Sequence, residues 1–341
     1  MIDIDPFQVR LSEPLDTARG PIRERNGLLV TVEYDGHYGV GEATPLPGWT
    51  ESYEACREAL ERASAVADEL DPGIALGRMD APAARHGLSL AFAEARARAE
   101  DWSLYRALGG EFVETVPVNA TLGSSTGPEA AGEAAVRAVE EGFETLKLKV
   151  GSNGVEEDIE RVRAIRDAVG ADVALRVDAN GAWTPEQAQK ALDSLAALDV
   201  SYLEQPLPKT ELDAHAELSG PVDIALDESL AAYSIEEIVA ADAADVVVLK
   251  PMVIGGPDLT VDTARRAREA GIEPIVSNTV DAVVARTGAV HVAAAIPDVS
   301  PCGLATASLL ETDLGPDSAP VENGEILVPQ RAGLGLPERL Q

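Results

Sequence analysis

Two rhythms of apolar and polar positions divide this chain. In the first 45 residues apolar positions alternate with polar ones, and Leu28-Leu29-Val30-Thr31-Val32-Glu33-Tyr34 and Tyr38-Gly39-Val40-Gly41-Glu42-Ala43 read as strands. Asp35-Gly36 between them is a hairpin signal, because both residues tolerate the positive φ that a tight turn needs. Thr44-Pro45-Leu46-Pro47-Gly48-Trp49 follows as a rigid loop. Residues 53–70 and 81–100 then carry helical patterns. Strands first and helices after predict a small α+β domain.

From Val116 onward short apolar runs alternate with amphipathic stretches. Val116-Pro117-Val118-Asn119-Ala120 predicts the first strand of a second domain, and a helix opens at Thr126-Gly127-Pro128-Glu129 and stops at Gly142. Thr184-Pro185-Glu186-Gln187 and Ser234-Ile235-Glu236-Glu237 each place a hydroxyl three residues before Gln or Glu, the capping-box pattern of a helix start. Residues 259–270 predict a further helix and 272–276 a seventh strand, ending in Ser277-Asn278-Thr279. Ser300-Pro301-Cys302-Gly303-Leu304 marks a short eighth strand. The tail, with Glu325-Ile326-Leu327-Val328-Pro329 and Gly333-Leu334-Gly335-Leu336, is too short for another unit and is expected to cover the N-terminal domain. No low-complexity linker separates the two domains, so they are expected to pack together.

Five of the strand-like runs end in a charged residue. These ends are Lys147-Leu148-Lys149, Arg176-Val177-Asp178-Ala179-Asn180, Leu203-Glu204-Gln205-Pro206, Leu226-Asp227-Glu228-Ser229 and Val248-Leu249-Lys250-Pro251. They recur at intervals of about 23 to 29 residues, enough for one strand, one helix and two short loops. Parallel strands with intervening helices close into a barrel whose C-terminal strand ends surround one cavity. The spacing therefore gathers three carboxylates and a group of lysines.

Composition narrows the chemistry. At 341 residues and 35.7 kDa the chain exceeds a single ordinary core, which suits one large and one smaller domain. Its 59 acids against 27 bases give a formal charge of −32, with no basic stripe to track phosphates, so nucleic acid is excluded as a partner. The acids are spread along the chain, as on a surface suited to the high salt of a halophile, where the Debye length falls to roughly 3 Å at about 1 M. No apolar run approaches the ~18 residues of a membrane span, and the N-terminus has neither a basic leader nor an apolar core. A soluble, cytoplasmic protein without a membrane partner is expected. Cys56 and Cys302 lie far apart and read as buried free thiols. Only five of the bases are lysine, and three of them, Lys147, Lys149 and Lys250, stand at the strand ends. Retaining lysine there points to a task that the permanently charged arginine cannot perform.

Asp178, Glu204 and Asp227 offer hard oxygen donors, suited to Mg²⁺ or Mn²⁺ rather than zinc. None of His37, His86, His215 and His291 falls at a strand end. One such carboxylate alone would read as a helix N-cap; three in register read as a metal site. Lys147 and Lys149 are two apart on a strand and share a side, where each ammonium disfavours the other's charge and lowers a pKa toward that of a useful base. Lys250 enters from across the barrel. Together these groups suit removal of a weakly acidic proton beside a carboxylate, with a divalent cation offsetting the charge that develops. The expected partner is a small-molecule carboxylate.

The motifs KxK, DAN, EQP, DES and LKP, in this order, resemble the muconate-lactonising branch of the enolase superfamily, and the resemblance spans nearly the whole chain. It implies an α/β architecture, a (β/α)7β modified TIM barrel over 113–315 with an N-terminal α+β capping domain over 1–112 completed by 316–341. Gly39-Val40-Gly41-Glu42-Ala43-Thr44-Pro45-Leu46-Pro47-Gly48-Trp49 is similar to the GxGExxPLPGF segment of o-succinylbenzoate synthases, dehydratases of menaquinone biosynthesis. The resemblance implies Mg²⁺ on Asp178, Glu204 and Asp227, with Lys149 as base and then acid, Lys147 tuning it, and Lys250 as a charge. It further implies that Asn180, Glu228 and Arg176 orient the ligands, and that Trp49, Ser277 and Gly303 contact substrate. Two segments depart from the family. Ser277-Asn278-Thr279-Val280-Asp281-Ala282 replaces a serine-rich turn followed by Glu-Ser, and Gly303-Leu304-Ala305-Thr306 has Ala305 in place of an acid. The lack of an Asp-x-Asp there counts against a dipeptide epimerase. Competing readings are an N-acylamino acid racemase with Lys149 and Lys250 as opposed bases, a muconate cycloisomerase, and a barrel that binds without turnover. A homo-oligomer is left open.

Overall fold

The N-terminal alternation folds as a meander. In the computed structural model, which describes residues 2–15, 20–67, 72–123 and 127–337, β1 (Ile2–Leu15), β2 (Ile22–Tyr34) and β3 (His37–Ala43) form an antiparallel sheet. Asp35 and Gly36 take φ values of 49° and 77° in the expected hairpin turn. Leu28, Val30 and Val32 point to one face and pack with Ala83, Ala84, Leu88 and Ala91 of the helix Pro82–Ala99. The helix lies so close to β3 that a Cβ on Gly41 would meet the Ala91 nitrogen at 2.8 Å, which leaves room only for glycine. A second helix, Tyr53–Ala67, covers the same core; the end of its expected range, to Leu70, lies outside the described residues.

The second domain is a curled parallel sheet. β5 (Ala120–Leu122), β6 (Thr145–Lys149), β7 (Ala174–Asp178), β8 (Val200–Glu204), β9 (Asp223–Leu226), β10 (Val246–Leu249) and β11 (Glu273–Val276) follow one another in sequence order, with a helix between each consecutive pair. Strands covered on both faces read as continuous apolar runs, and all four residues of β10, Val246-Val247-Val248-Leu249, are buried. The helix Pro185–Leu195 presents Ala188, Ala191, Leu192 and Leu195 to the core at helical spacing. Both expected capping boxes form: Thr184 pairs reciprocally with Gln187, and Ser234 with Glu237. The helix Pro128–Glu140 starts after Gly127; Thr126 lies outside the described residues.

Two expected strands take a different form. Thr115–Pro117 is β4, and it pairs with β13 (Glu325–Leu327), itself paired with β12 (Val321–Glu322). The run 116–120 therefore divides, because the returning tail claims its first half and Pro117 has no N–H for a barrel ladder. The eighth strand shrinks to two bridges, Cys302 with Val118 and Gly303 with Ser277, which close the barrel between its first and seventh strands. Pro301 limits its ladder for the same reason. The tail continues to the N-terminal helices, where the Leu104 nitrogen donates to Gly333 at 2.8 Å and Leu334 and Leu336 pack with Val40, Leu90 and Leu104. Among the described residues no helix is long and apolar enough to cross a membrane.

Candidate active site

Parallel register sets the site. Lys149 is the partner of Asp178, and Asp178 is the partner of Glu204, so three strands end at one level; Asp227 follows the end of the next strand, β9. All three carboxylates are buried, Asp178 and Glu204 completely. Lys147 Nζ donates to both Glu204 oxygens at 2.8 and 3.0 Å and lies 3.1 Å from Asp178. Lys149 Nζ reaches Asp178 at 2.5 Å and the Asn180 side-chain oxygen at 3.0 Å. Lys250 Nζ bonds both oxygens of Asp227, and its charge faces the Trp49 indole, 3.7 Å from the ring centre. Trp49 comes from the capping domain, so this loop covers the Lys250 side of the barrel mouth.

Burial sets charge against charge here. It pushes the Asp178 carboxyl up, but Lys149 and Lys147 outweigh it and hold the group far below the ordinary range. Burial and the neighbouring Asp178 push Glu204 up to about 7. Asp227 is pushed up to about 6 by burial, partly offset by Lys250. Burial pulls the Lys147 ammonium down, yet Glu204 and Asp178 prevail and hold it well above its usual value. The two buried carboxylates beside Lys147 thus outweigh its neighbouring lysine. Lys149 is the more open of the pair, its side chain 31% exposed against 11% for Lys147.

Around these groups Asn180 Nδ2 donates to Glu228 at 3.0 Å, and the Asn180 backbone nitrogen donates to Asp178 at 2.9 Å. Asn180 thus ties Lys149, Asp178 and Glu228 together. Arg176 does not: its guanidinium donates to Asn119 at 3.3 Å and to the Pro301 carbonyl at 2.5 Å, and stacks 5.0 Å above the Tyr202 ring. It braces the barrel closure one layer below the carboxylates instead of orienting them. Ser277 Oγ donates to the Gly303 carbonyl at 3.1 Å, which places both at the junction of the seventh and eighth strands. Gln205 is a site residue that sequence reasoning passed over. Fully buried and at a φ of 39°, it accepts from the Asp227 and Ser229 nitrogens at 3.0 and 3.1 Å, fixing the turn that carries Asp227. Its signal was in plain view as the middle residue of the EQP motif.

The residues fit a divalent cation by donor type and by charge. Asp178, Glu204, Asp227 and Glu228 outnumber the lysines beside them, and Glu228 Oε2 is buried without a hydrogen-bond partner. As placed, no three carboxylate, imidazole or thiol groups among the described residues close on one point, because the ammonium groups lie against the oxygens. A cation would take over oxygens that Lys147, Lys149 and Lys250 now bind.

The family described as enolase C-terminal domain-like matches residues 130–337, which take in the site and every strand of the parallel sheet except β5. The chain belongs to the enolase superfamily. A second family, the MenC N-terminal domain, matches residues 7–95. Among relatives within the superfamily, a hydrophobic dipeptide epimerase of Enterococcus faecalis is 32% identical over 98% of each chain. An o-succinylbenzoate synthase of Thermobifida fusca is 39% identical over 60% of this chain and 63% of its own. The structure of the Enterococcus faecalis dipeptide epimerase with Mg and the dipeptide L-Leu-L-Tyr superposes with a TM-score of 0.88 at 29% identity, covering 98% of each chain.

Proposed function

We propose that this enolase-superfamily enzyme is a Mg²⁺-dependent dehydratase that converts 2-succinyl-6-hydroxy-2,4-cyclohexadiene-1-carboxylate to o-succinylbenzoate. The observation that carries the reading is the turn at the eighth strand, Gly303-Leu304-Ala305-Thr306. This turn offers a hydroxyl and apolar groups, with Thr306 accepting from Asn278 at 2.8 Å, and none of its four residues is a carboxylate that could hold a substrate ammonium. A substrate made of carboxylates and an uncharged ring suits that wall and the lysines opposite it. The match of residues 7–95 to the MenC N-terminal domain and the likeness to the Thermobifida fusca synthase support the same choice.

A cation held by Asp178, Glu204 and Asp227 would supply positive charge to the substrate carboxylate. Lys149, the open member of the lysine pair, takes the proton beside that carboxylate. It returns the proton to the departing hydroxyl, so one base serves a syn elimination and water leaves as the ring becomes aromatic. Lys147 stands beside Lys149 as a second positive charge, while Lys250 meets the developing negative charge under the Trp49 indole.

A second reading, epimerisation at an α-carbon, draws on Lys149 and Lys250 standing at opposite ends of the carboxylate row and on the likeness to the dipeptide epimerase. Turnover assays in D₂O separate the two. We expect o-succinylbenzoate from the cyclohexadiene substrate and little inversion of dipeptides. Efficient inversion of a dipeptide or an N-succinylamino acid with no o-succinylbenzoate formed would transfer the assignment to the second reading.

A further inference from the structure

The helix Val283–Ala295 begins at the wall of the site with a residue that cannot cap it. Its N-cap is Ala282, and no side chain of its own turn satisfies the first amides. Two distant carboxylates do so instead: Glu42, more than 200 residues earlier and in the other domain, accepts from the Ala282 nitrogen through Oε1 at 2.9 Å and from the Ala285 nitrogen through Oε2 at 2.8 Å, and Asp313 accepts from the Val283 nitrogen at 2.8 Å. The positive end of the helix dipole favours an acceptor here, while burial and the neighbouring Asp281 push the Glu42 carboxyl up to about 7. Beside it Arg25, also buried, donates to the Thr44 carbonyl at 2.8 Å and the Pro45 carbonyl at 3.4 Å, and lies 3.9 Å from Asp281. Arg25 therefore links the capping loop that carries Trp49 to the loop that follows the seventh strand.

That second loop is held in a costly shape. Val280, a β-branched residue, sits at a φ of 60°, in the left-handed region where its side chain crowds the backbone. Asn278 accepts from the Val280 nitrogen at 3.1 Å, and Asp281 accepts from the Thr279 hydroxyl at 2.5 Å. Such a conformation persists only when its surroundings over-determine it. The same loop bonds Thr306 through Asn278 and Gly303 through Ser277, so its shape sets the neutral wall of the site.

We propose that Glu42 and Arg25 are positioning residues that clamp the capping loop 44–50 and the loop 277–282 into one rigid wall, and that this clamp maintains the left-handed Val280. The inference rests on the barrel mouth being the active site but not on which substrate enters it. Its consequence is that the capping domain acts on substrate affinity through the barrel backbone as well as through Trp49.

The test is Glu42→Gln and Glu42→Ala, each with and without Val280→Gly, since glycine adopts the same φ without crowding. Hydrogen exchange over residues 277–286 is read first, because it needs no substrate. The Glu42 variants should accelerate exchange there at least about tenfold while the strands 246–249 and 200–204 keep their protection. With whichever substrate the wild-type enzyme turns over, KM should rise about tenfold with kcat within about threefold, and Val280→Gly should recover most of that KM. Unchanged exchange at 277–286 in Glu42→Ala would overturn the proposal. So would faster exchange throughout the barrel, which marks a loss of global stability, or a raised KM that Val280→Gly leaves in place. If no substrate turns over, the exchange measurement alone decides, and the functional reading fails separately.

Discussion

Lys149 and Lys250 carry the same charge but face different surroundings, and that difference makes the chemistry testable at single residues. Lys149→Arg keeps a cation but removes a base that can lose its proton, so dehydration should fall at least about 100-fold. Lys250→Arg keeps the charge and a face for the Trp49 ring, and measurable dehydration should remain, within about tenfold of wild type. Equal losses in steady-state assays of the two variants would instead point to proton exchange at both lysines. Asp227→Asn should lose activity with an unchanged circular dichroism spectrum, and full wild-type activity in excess chelator would contradict the metal assignment. Away from the site, Glu94 is fully buried against the Val40 nitrogen, and burial pushes its carboxyl up to about 7. A carboxyl raised on folding binds its proton more tightly in the folded state, so its stabilisation is present below the ordinary carboxylate range and is lost as pH rises through about 7. Chemical denaturation of Glu94→Gln between pH 4.5 and 7 should show a flatter stability profile than wild type, the difference being on the order of 3 kcal/mol. Parallel profiles would mean that Glu94 does not titrate in that interval.

At the scale of elements, close approach matters more than propensity. β3 carries Gly39 and Gly41 where strand propensity alone would favour larger residues, because the helix Pro82–Ala99 rests its backbone on that strand. Gly41→Ala sets a methyl group against the Gly87 and Ala91 backbone, which cannot move aside as a flexible side chain would. We expect a loss of about 2 kcal/mol or more in urea denaturation, because overpacking in a dense core is not relieved locally. A Gly41→Ala protein with wild-type stability would mean that the helix shifts away from β3 at little cost. The capping boxes were legible in advance because hydroxyl, spacing and carboxyl or amide all lie within four residues. The cap of the helix Val283–Ala295 was not legible, since its acceptors, Glu42 and Asp313, come from distant parts of the chain. The division of the run 116–120 had the same origin: its backbone groups meet the tail and Cys302, partners far away in sequence.

Across the whole molecule the formal charge of −32 outweighs any single ion pair. Repulsion among exposed carboxylates acts over about 10 Å at 0.1 M salt and over longer distances on dilution. The melting temperature should therefore fall when salt drops below about 0.1 M and rise as salt is added. A flat or opposite trend would show that local ion pairs, such as those between Arg85 and Asp258, already balance the surface. Packing between the two domains follows from the same residues that serve the site, with Trp49, Arg25 and Glu42 reaching the barrel from the capping side.

The order of elements, the hairpin at Asp35-Gly36, and the level at which Lys149, Asp178, Glu204 and Asp227 end their strands were determined by the sequence alone. Alternation, turn chemistry and chain spacing are local, and the geometry of a parallel barrel converts equal spacing into convergence. Tertiary structure decided the rest. It reduced the eighth strand to Cys302 and Gly303, moved Arg176 to the barrel closure, set Lys147 against Glu204 and Asp178, and placed Val280 at a positive φ. Each of these depends on which backbone amide, carboxylate or guanidinium arrives from a distant part of the chain, and neither periodicity nor composition records that meeting.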